Sequence, residues 1–267
     1  MPAPHNAFKA ALRTGRPQIG LWLALASPYV AEICAGAGYD WLLIDAEHGP
    51  NDVPLLAAQL QAVAASASHP VVRVPIGEAW IIKQVLDIGA QTLLIPMVES
   101  AEQARALVRA TRYPPEGMRG VGAALARASH YNRLPDYLQS ANEQICLLLQ
   151  VESRAGLAAI EEIAAIDGVD GIFVGPADLA ADMGFLGDPG APEVQAAVID
   201  GLRRSLACGK AAGILTADQE LAKSYVELGA SFVAIGSDVG VLAGGTSRLL
   251  SQFGAAQSAQ PARGAVY

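Results

Sequence analysis

The chain has 267 residues, with 18 Lys+Arg against 26 Asp+Glu for a formal charge of −8, and it is 52% hydrophobic but only 16% charged. An acidic chain of this kind is not built to lie on nucleic-acid phosphates or anionic membranes, and its apolar content is high enough to offset the entropy of ordering, which excludes disorder. Three widely spaced cysteines, Cys34, Cys146 and Cys208, give neither a disulfide framework nor a metal-binding pair.

The first residues, Met1-Pro2-Ala3-Pro4-His5, lack a basic start followed by an apolar run. No secretory signal is therefore expected, and the cytoplasm is the expected location. Short β-rich runs then recur in order: Ile19–Leu25, Trp41–Asp45, Val71–Val74, Thr92–Val98, Ile145–Val151, Gly171–Val174, Ala212–Leu215 and Phe232–Ile235. None is long enough to span a bilayer. Their unbroken apolar character suits strands covered on both faces, as in a parallel sheet under helices. The segments between them read as helices; 101–111 and 192–208 carry apolar residues at three-and-four spacing beside charges. Glycines such as Gly89 and Gly229 stand where such helices should end.

Eight strand–helix units in one chain of this length predict a single-domain (β/α)8 barrel, a TIM barrel, over 1–253. An open doubly wound sheet is the rival, but Ala26-Ser-Pro28 stands where its phosphate-binding glycines should follow the first strand. Two connections are long, 113–144 and 184–192, and long loops on a compact barrel tend to carry function. The end of the chain, 254–267, is rich in Ala, Gln, Ser and Gly and reads as a flexible tail.

In such a barrel the working residues lie at the C-terminal ends of the strands. Those ends supply Asp45, Glu47 and His48, then Arg73, Glu99, Gln150, Glu152, Asp178 and Asp238. Glu152 and Asp178 follow neighbouring strands, and two hard oxygen donors with room for water suit Mg²⁺, Mn²⁺ or Co²⁺ better than a closed zinc cage. Structural ion pairs from Glu152 to Arg154 or Arg127 explain the same carboxylate equally well. His48 sits on a turn just past a strand, where it is either a general base near neutral pH or a solvent-exposed turn residue. Arg73 is a charge on an otherwise apolar strand, and the barrel mouth is the polar place available to it. A guanidinium fixed there can bind a carboxylate or stabilise an oxyanion. The four lysines, Lys9, Lys83, Lys210 and Lys223, all fall away from the strand C-termini, so a Schiff-base mechanism lacks its nucleophile. No Walker loop or nucleophile elbow is present.

Several motifs occur together and in order: Ile19-Gly-Leu-Trp22, Asp45-x-Glu-His48, Ile82-Lys-Gln-x-Leu-Asp87, Arg112-Tyr-Pro-Pro115, Arg119-Gly-Val-Gly122, Gln150-Val-Glu152 and Gly175-Pro-Ala-Asp178. On these the chain, from Phe8 to Phe253, resembles the class II pyruvate aldolases of the 4-hydroxy-2-oxoheptanedioate aldolase family, within the citrate-lyase-like superfamily. The resemblance implies a (β/α)8 barrel assembled as a hexamer, a trimer of dimers, with the last helix exchanged between subunits. It implies reversible cleavage of 4-hydroxy-2-oxoacids to pyruvate, or a close 2-oxoacid, and an aldehyde, through a metal-stabilised enolate. One divalent metal ion per subunit (Mg²⁺, Mn²⁺ or Co²⁺) would be held by Glu152 and Asp178. His48, its basicity raised by Asp87, would act as base, and Arg73 would stabilise the enolate. Gln150, Gly175, Pro176, Ala177 and Asp178 would hold the substrate, with Trp22 and Leu215 as walls. No nucleotide, nucleic acid or membrane partner is implied. Gly77-Glu-Ala-Trp80 departs from the Asp-Pro that relatives often carry there, which leaves the aldehyde preference open. The alternatives are another lyase of the superfamily acting on a coenzyme A thioester, and an inactive barrel with a binding role.

The low charge of a chain this apolar raises a question of wetting. Outer helices packed against sister subunits would keep part of the apolar surface from water, so composition too predicts a homo-oligomer.

Overall fold

Each apolar run is followed by a helix that returns the chain to the same end of the sheet, so successive strands can pair only in parallel. A computed structural model of the chain describes residues 1–253; the tail expected over 254–267 lies outside the described residues. The strands are β1 (Gln18–Leu23), β2 (Trp41–Asp45), β3 (His69–Arg73), β4 (Thr92–Ile95), β5 (Cys146–Val151), β6 (Gly171–Val174), β7 (Ala211–Leu215) and β8 (Phe232–Ser237). They pair in sequence order, and β8 returns to β1, which closes the barrel. The (β/α)8 barrel expected from strand spacing is the fold.

The helices are α1 (Ala7–Ala11), α2 (Pro28–Ala35), α3 (Val53–Val63), α4 (Ala79–Asp87), α5 (Ala101–Thr111) and α6 (Tyr137–Ser140). After β5 come α7 (Arg154–Ala158), α8 (Ile160–Ala164), α9 (Pro176–Asp182), α10 (Pro192–Ala207), α11 (Gln219–Leu228) and α12 (Asp238–Ser251). Starts are set by side-chain caps: Ser27, Asp52, Ser100, Ser153, Asp218 and Ser237 each accept a backbone N–H of the first turn. None of the helices among the described residues is long and apolar enough to cross a membrane.

Alternation along the strands divides the core. Inside the barrel lie Trp22, Trp41, Leu43, Val71, Leu94, Cys146, Leu148, Phe173 and Phe232. Between strands and helices lie the aliphatic faces, among them Leu42, Ile44, Val72, Leu93, Leu149 and Ile172. The large interior rings fit because glycine stands beside them; a Cβ on Gly213 would come within 2.2 Å of the Phe232 ring, and one on Gly20 within 2.2 Å of Trp41. Cys146 is packing material, as its position early in a buried strand suggests, and burial pushes its thiol far above the ordinary range.

α1 closes the N-terminal floor of the barrel. Phe8 lies 5.9 Å from the Trp41 ring and 6.1 Å from Phe232, centroid to centroid. Asn6 donates to the Gln91 carbonyl, Thr92 Oγ1 and the Gln144 carbonyl. The long connection after α5 also lies on this side, where Tyr113, Leu134 and Tyr137 form a small apolar cluster with Ala3. Its position follows from topology, since a segment joining the end of a helix to the start of β5 runs past the floor. The connection 184–192 joins α9 to α10 within the excursion that follows β6, so it belongs to the other side.

Six strands differ from the apolar runs by one to three residues at an end, and only β2 and β6 match at both ends. β1 ends at Leu23 and β4 at Ile95, because Ala26 and Met97 adopt left-handed backbone (φ 50° and 57°), which a strand cannot continue through. α12 packs little of itself inward: Asp238 is its buried residue, while Val241, Leu242, Leu249 and Leu250 are each more than half exposed. An apolar groove lies beside it, lined by Leu25, Val30, Ile33, Tyr39 and α12 residues.

Candidate active site

Asp45 and Arg73 are the last residues of β2 and β3 and stand opposite each other in register. Arg73 grips Asp45 with two parallel bonds, Nε to Oδ1 at 2.8 Å and Nη2 to Oδ2 at 2.6 Å. The pair is sealed from water, with side chains 4% and 1% exposed. Trp22 Nε1 donates to Asp45 Oδ2 at 3.1 Å, and the guanidinium carbon lies 4.9 Å from the centre of the Trp22 ring. Burial by itself would raise the Asp45 carboxyl, but the Arg73 bonds and charge outweigh it and hold the group below the usual carboxylate range. A fork-to-fork pair of this kind fixes the guanidinium in one orientation.

The remaining face of Arg73 meets Glu47, whose Oε2 is 2.7 Å from Nη1. That oxygen is buried without a directional hydrogen bond, so the contact is ionic. Burial pushes the Glu47 carboxyl up, Arg73 pulls it down, and Asp45 and Asp178 push it up again.

Glu152 follows β5. Its Oε1 accepts from the Met97 backbone N–H at 2.8 Å, and its Oε2 from Gln150 Nε2. The left-handed Met97 is what turns that N–H towards the carboxylate, so the early end of β4 serves Glu152. Burial pushes the Glu152 carboxyl up to about 7, assisted by the charges of Glu47 and Asp178 and opposed by its two hydrogen bonds. Neither of the ion pairs considered for Glu152 forms: Arg154 binds Asp182 at 3.1 Å, and Arg127 donates to the Ile88 carbonyl. Gly175 is required beside it, because a Cβ there would sit 2.5 Å from Glu152 Oε2 and 3.2 Å from Gln150 Nε2.

Asp178 lies in the first turn of α9, which Pro176 starts. Together with Trp22, Arg73, Gln150 and Glu152 it lines a small cleft at the C-terminal mouth, with room for about 30 Å³. Gly175, Pro176, Ala177 and Leu215 complete the lining, with Phe173 beneath, its ring 5.6 Å from Trp22. Every substrate- or metal-contacting residue expected from sequence therefore meets at one cleft, apart from the base and its helper. His48 is exposed on the turn after β2, its backbone N–H 3.4 Å from Asp45 Oδ1. Asp87 ends α4 on the floor side, where its Oδ1 accepts from the buried Arg119 at 2.6 Å. Within one chain it is at the far end of the barrel from His48.

Glu47, Glu152 and Asp178 turn negative charge towards one cleft whose single guanidinium is already matched by Asp45. Gln150 Oε1 adds a buried oxygen with no partner. This is an oxygen-rich, anionic setting that suits a hard divalent cation. No group of three or more His, Cys, Asp or Glu side chains among the described residues forms a complete cage, so an ion held by Glu152 and Asp178 would take its other ligands from water and substrate. The sequence places Asp45 and Glu47 at a strand end without showing that both clamp Arg73, and it gives no sign of Met97. Asp45 and Arg73 end neighbouring parallel strands, and that coincidence was the available signal. Asp238, also at a strand end, accepts the Ala24 and Leu25 N–H groups and holds the loop after β1.

The fold and this cleft define a class, a (β/α)8 barrel with an acidic pocket above the carboxyl ends of its strands. The chain belongs to the HpcH/HpaI aldolase/citrate lyase family, whose profile matches residues 18–244. It is 60% identical over 259 residues to a hydroxypyruvate/pyruvate aldolase of Deinococcus radiodurans, covering 95% of this chain and 94% of that one. It is 59% identical to a 4-hydroxy-2-oxo-heptane-1,7-dioate aldolase of Klebsiella pneumoniae, covering 93% and 94%. A solved structure of an HpcH/HpaI aldolase/citrate lyase family protein from Burkholderia cenocepacia superposes with a TM-score of 0.90 at 45% identity, covering 93% of this chain and 99% of that one.

Proposed function

We propose that the chain is a class II aldolase, a carbon–carbon lyase that cleaves 4-hydroxy-2-oxoacids reversibly to pyruvate, or a close 2-oxoacid, and an aldehyde. The observation that carries this reading is the Glu152–Asp178 carboxylate pair beside the locked Arg73 in one cleft. Glu152 and Asp178 would hold one divalent ion per subunit, Mg²⁺, Mn²⁺ or Co²⁺, which supplies Lewis-acid polarisation of the keto group. Arg73 cannot turn away, because both its outer edges are engaged by Asp45 and Glu47. Its charge therefore stands ready for the negative charge that grows on the keto oxygen when C3 becomes a carbanion. Gln150 and the Gly175–Ala177 backbone orient the oxoacid, and Trp22 and Leu215 exclude water from its apolar side. In cleavage His48 takes the proton from the C4 hydroxyl as the C3–C4 bond breaks and passes it to C3 of the enolate, and in condensation it takes the proton from C3 and gives it to the new C4 alkoxide.

Asp87 lies at the opposite end of its own barrel from His48, so pairing of the two requires another copy of the chain. The exposed apolar residues of α12 and the groove beside it fit exchange of that helix between subunits, within a hexamer built as a trimer of dimers. A cytoplasmic location accords with this reading. The test is chelation: stripping divalent ions should abolish pyruvate formation, and Mg²⁺, Mn²⁺ or Co²⁺ should restore it. Activity that survives chelation, or borohydride trapping of a lysine adduct, would overturn the mechanism.

A further inference from the structure

The floor of the barrel carries a second polar site, unrelated to the mouth. α1 and the turn after it meet the segments that precede β6, β7 and β8 around a crevice of about 460 Å³. Into it come Lys9, Arg13, Lys210 and one carboxylate, Asp170. Asp170 is fully committed: Oδ2 accepts from the Leu147 N–H at 3.0 Å, and Oδ1 faces Lys9 Nζ at 3.3 Å and Arg13 Nη2 at 3.9 Å. Three cations against one anion leave a local surplus of positive charge in a chain whose net charge is −8.

The donors are also in surplus. An ammonium has three N–H groups and a guanidinium five. Lys9 gives one to the Ile145 carbonyl at 2.7 Å and faces Asp170 with another, which leaves about one. Lys210 gives one to the Val169 carbonyl at 2.7 Å, which leaves about two. Among the described residues the Arg13 guanidinium makes only its long ionic contact. The two lysines are also held in place, since each is tied to a backbone carbonyl beside the start of a strand. The crevice thus presents two tethered ammonium groups and an exposed guanidinium, with donors unspent around an open space, which is the arrangement that recognises an oxyanion.

We propose that this floor crevice binds a small multiply charged oxyanion, of the phosphate or short-dicarboxylate kind, through Lys9, Arg13 and Lys210. Such an anion joins α1 to the end of α10 and to the segments entering β6 and β7, so its binding stabilises the fold from the side opposite the catalytic cleft. Inorganic phosphate, succinate and chloride, matched in ionic strength, are added to the intact protein at fixed protein concentration. The unfolding midpoint is followed as a function of anion concentration, and phosphate binding is measured by calorimetry. Phosphate or succinate should raise the midpoint saturably while chloride does not, and the stronger of the two identifies the kind of anion. Arg13→Glu changes a side chain that is 74% exposed and should fold normally. It should weaken anion binding at least tenfold and leave aldol cleavage unchanged. Lys210→Gln should weaken it as well. A midpoint that rises equally with chloride, or an Arg13→Glu protein that binds phosphate as tightly as the unsubstituted chain, would refute the site.

Discussion

Arg73→Met separates what the buried ion pair does for the fold from what the guanidinium does for the reaction. Methionine replaces the alkyl stem and much of the volume but leaves Asp45 as a carboxylate 1% exposed, with only Trp22 Nε1 and backbone N–H groups as donors. Removing one partner of a buried pair costs about 3–5 kcal/mol, because the other charge is left uncompensated. Glu47 loses the cation it pairs with among the described residues as well, so the upper part of that range applies. Asp45→Asn in the same chain should then recover most of the loss, since a neutral amide no longer needs a counter-charge. Urea unfolding at one fixed protein concentration, followed by tryptophan fluorescence, measures both steps. A single-substitution loss below about 1 kcal/mol, or a double variant no more stable than Arg73→Met, would show that the buried pair does not behave as an isolated charge pair. Aldol cleavage should stay lost in the double variant even though stability returns, because the charge at the keto oxygen is still missing.

The other expectations rest on neighbouring features. Gly175→Ala places a Cβ 2.5 Å from Glu152 Oε2, so divalent-ion affinity measured by calorimetry should fall at least tenfold while circular dichroism is unchanged. Asp45 has a folded pKa below its unfolded value, so the stability it contributes is present above about pH 4 and disappears as pH falls through the folded pKa. The unsubstituted chain should therefore lose more stability than Asp45→Asn between about pH 5 and pH 2; parallel curves would contradict the pairing. Arg204 and Glu161 are joined by two short hydrogen bonds that draw the Glu161 carboxyl down to about 2, yet Glu161 is half exposed. Solvent screening should reduce the cost of Glu161→Gln to under about 1 kcal/mol in the same urea assay.

Much of this molecule was legible in the sequence because parallel barrels repeat one rule. Apolar runs at regular spacing mark the strands, and polar residues late in those runs or just after them mark Arg73, Gln150, Glu152 and Asp178. What stayed hidden depends on pairing across strands or on backbone that no pattern encodes. Asp45 looked like an ordinary strand-end acid until register set it opposite Arg73. Met97 is an apolar residue whose contribution is a backbone N–H, available only because its φ is 57°. The expected functional weight of the long 113–144 connection followed loop length, while the chain's topology carries that loop to the floor. Asp87 illustrates a different limit: a motif can be matched along the chain while position along α4 sets its carboxylate at the opposite end of the barrel, on Arg119.

The aromatic floor built by α1 also has a kinetic consequence. With Phe8 wedged between Trp41 and Phe232, the barrel interior is blind at one end, and molecules reach the cleft only through the mouth. Traffic to and from the cleft is thus set by the residues at the mouth, and substitutions in the floor should change stability without changing the order in which products inhibit.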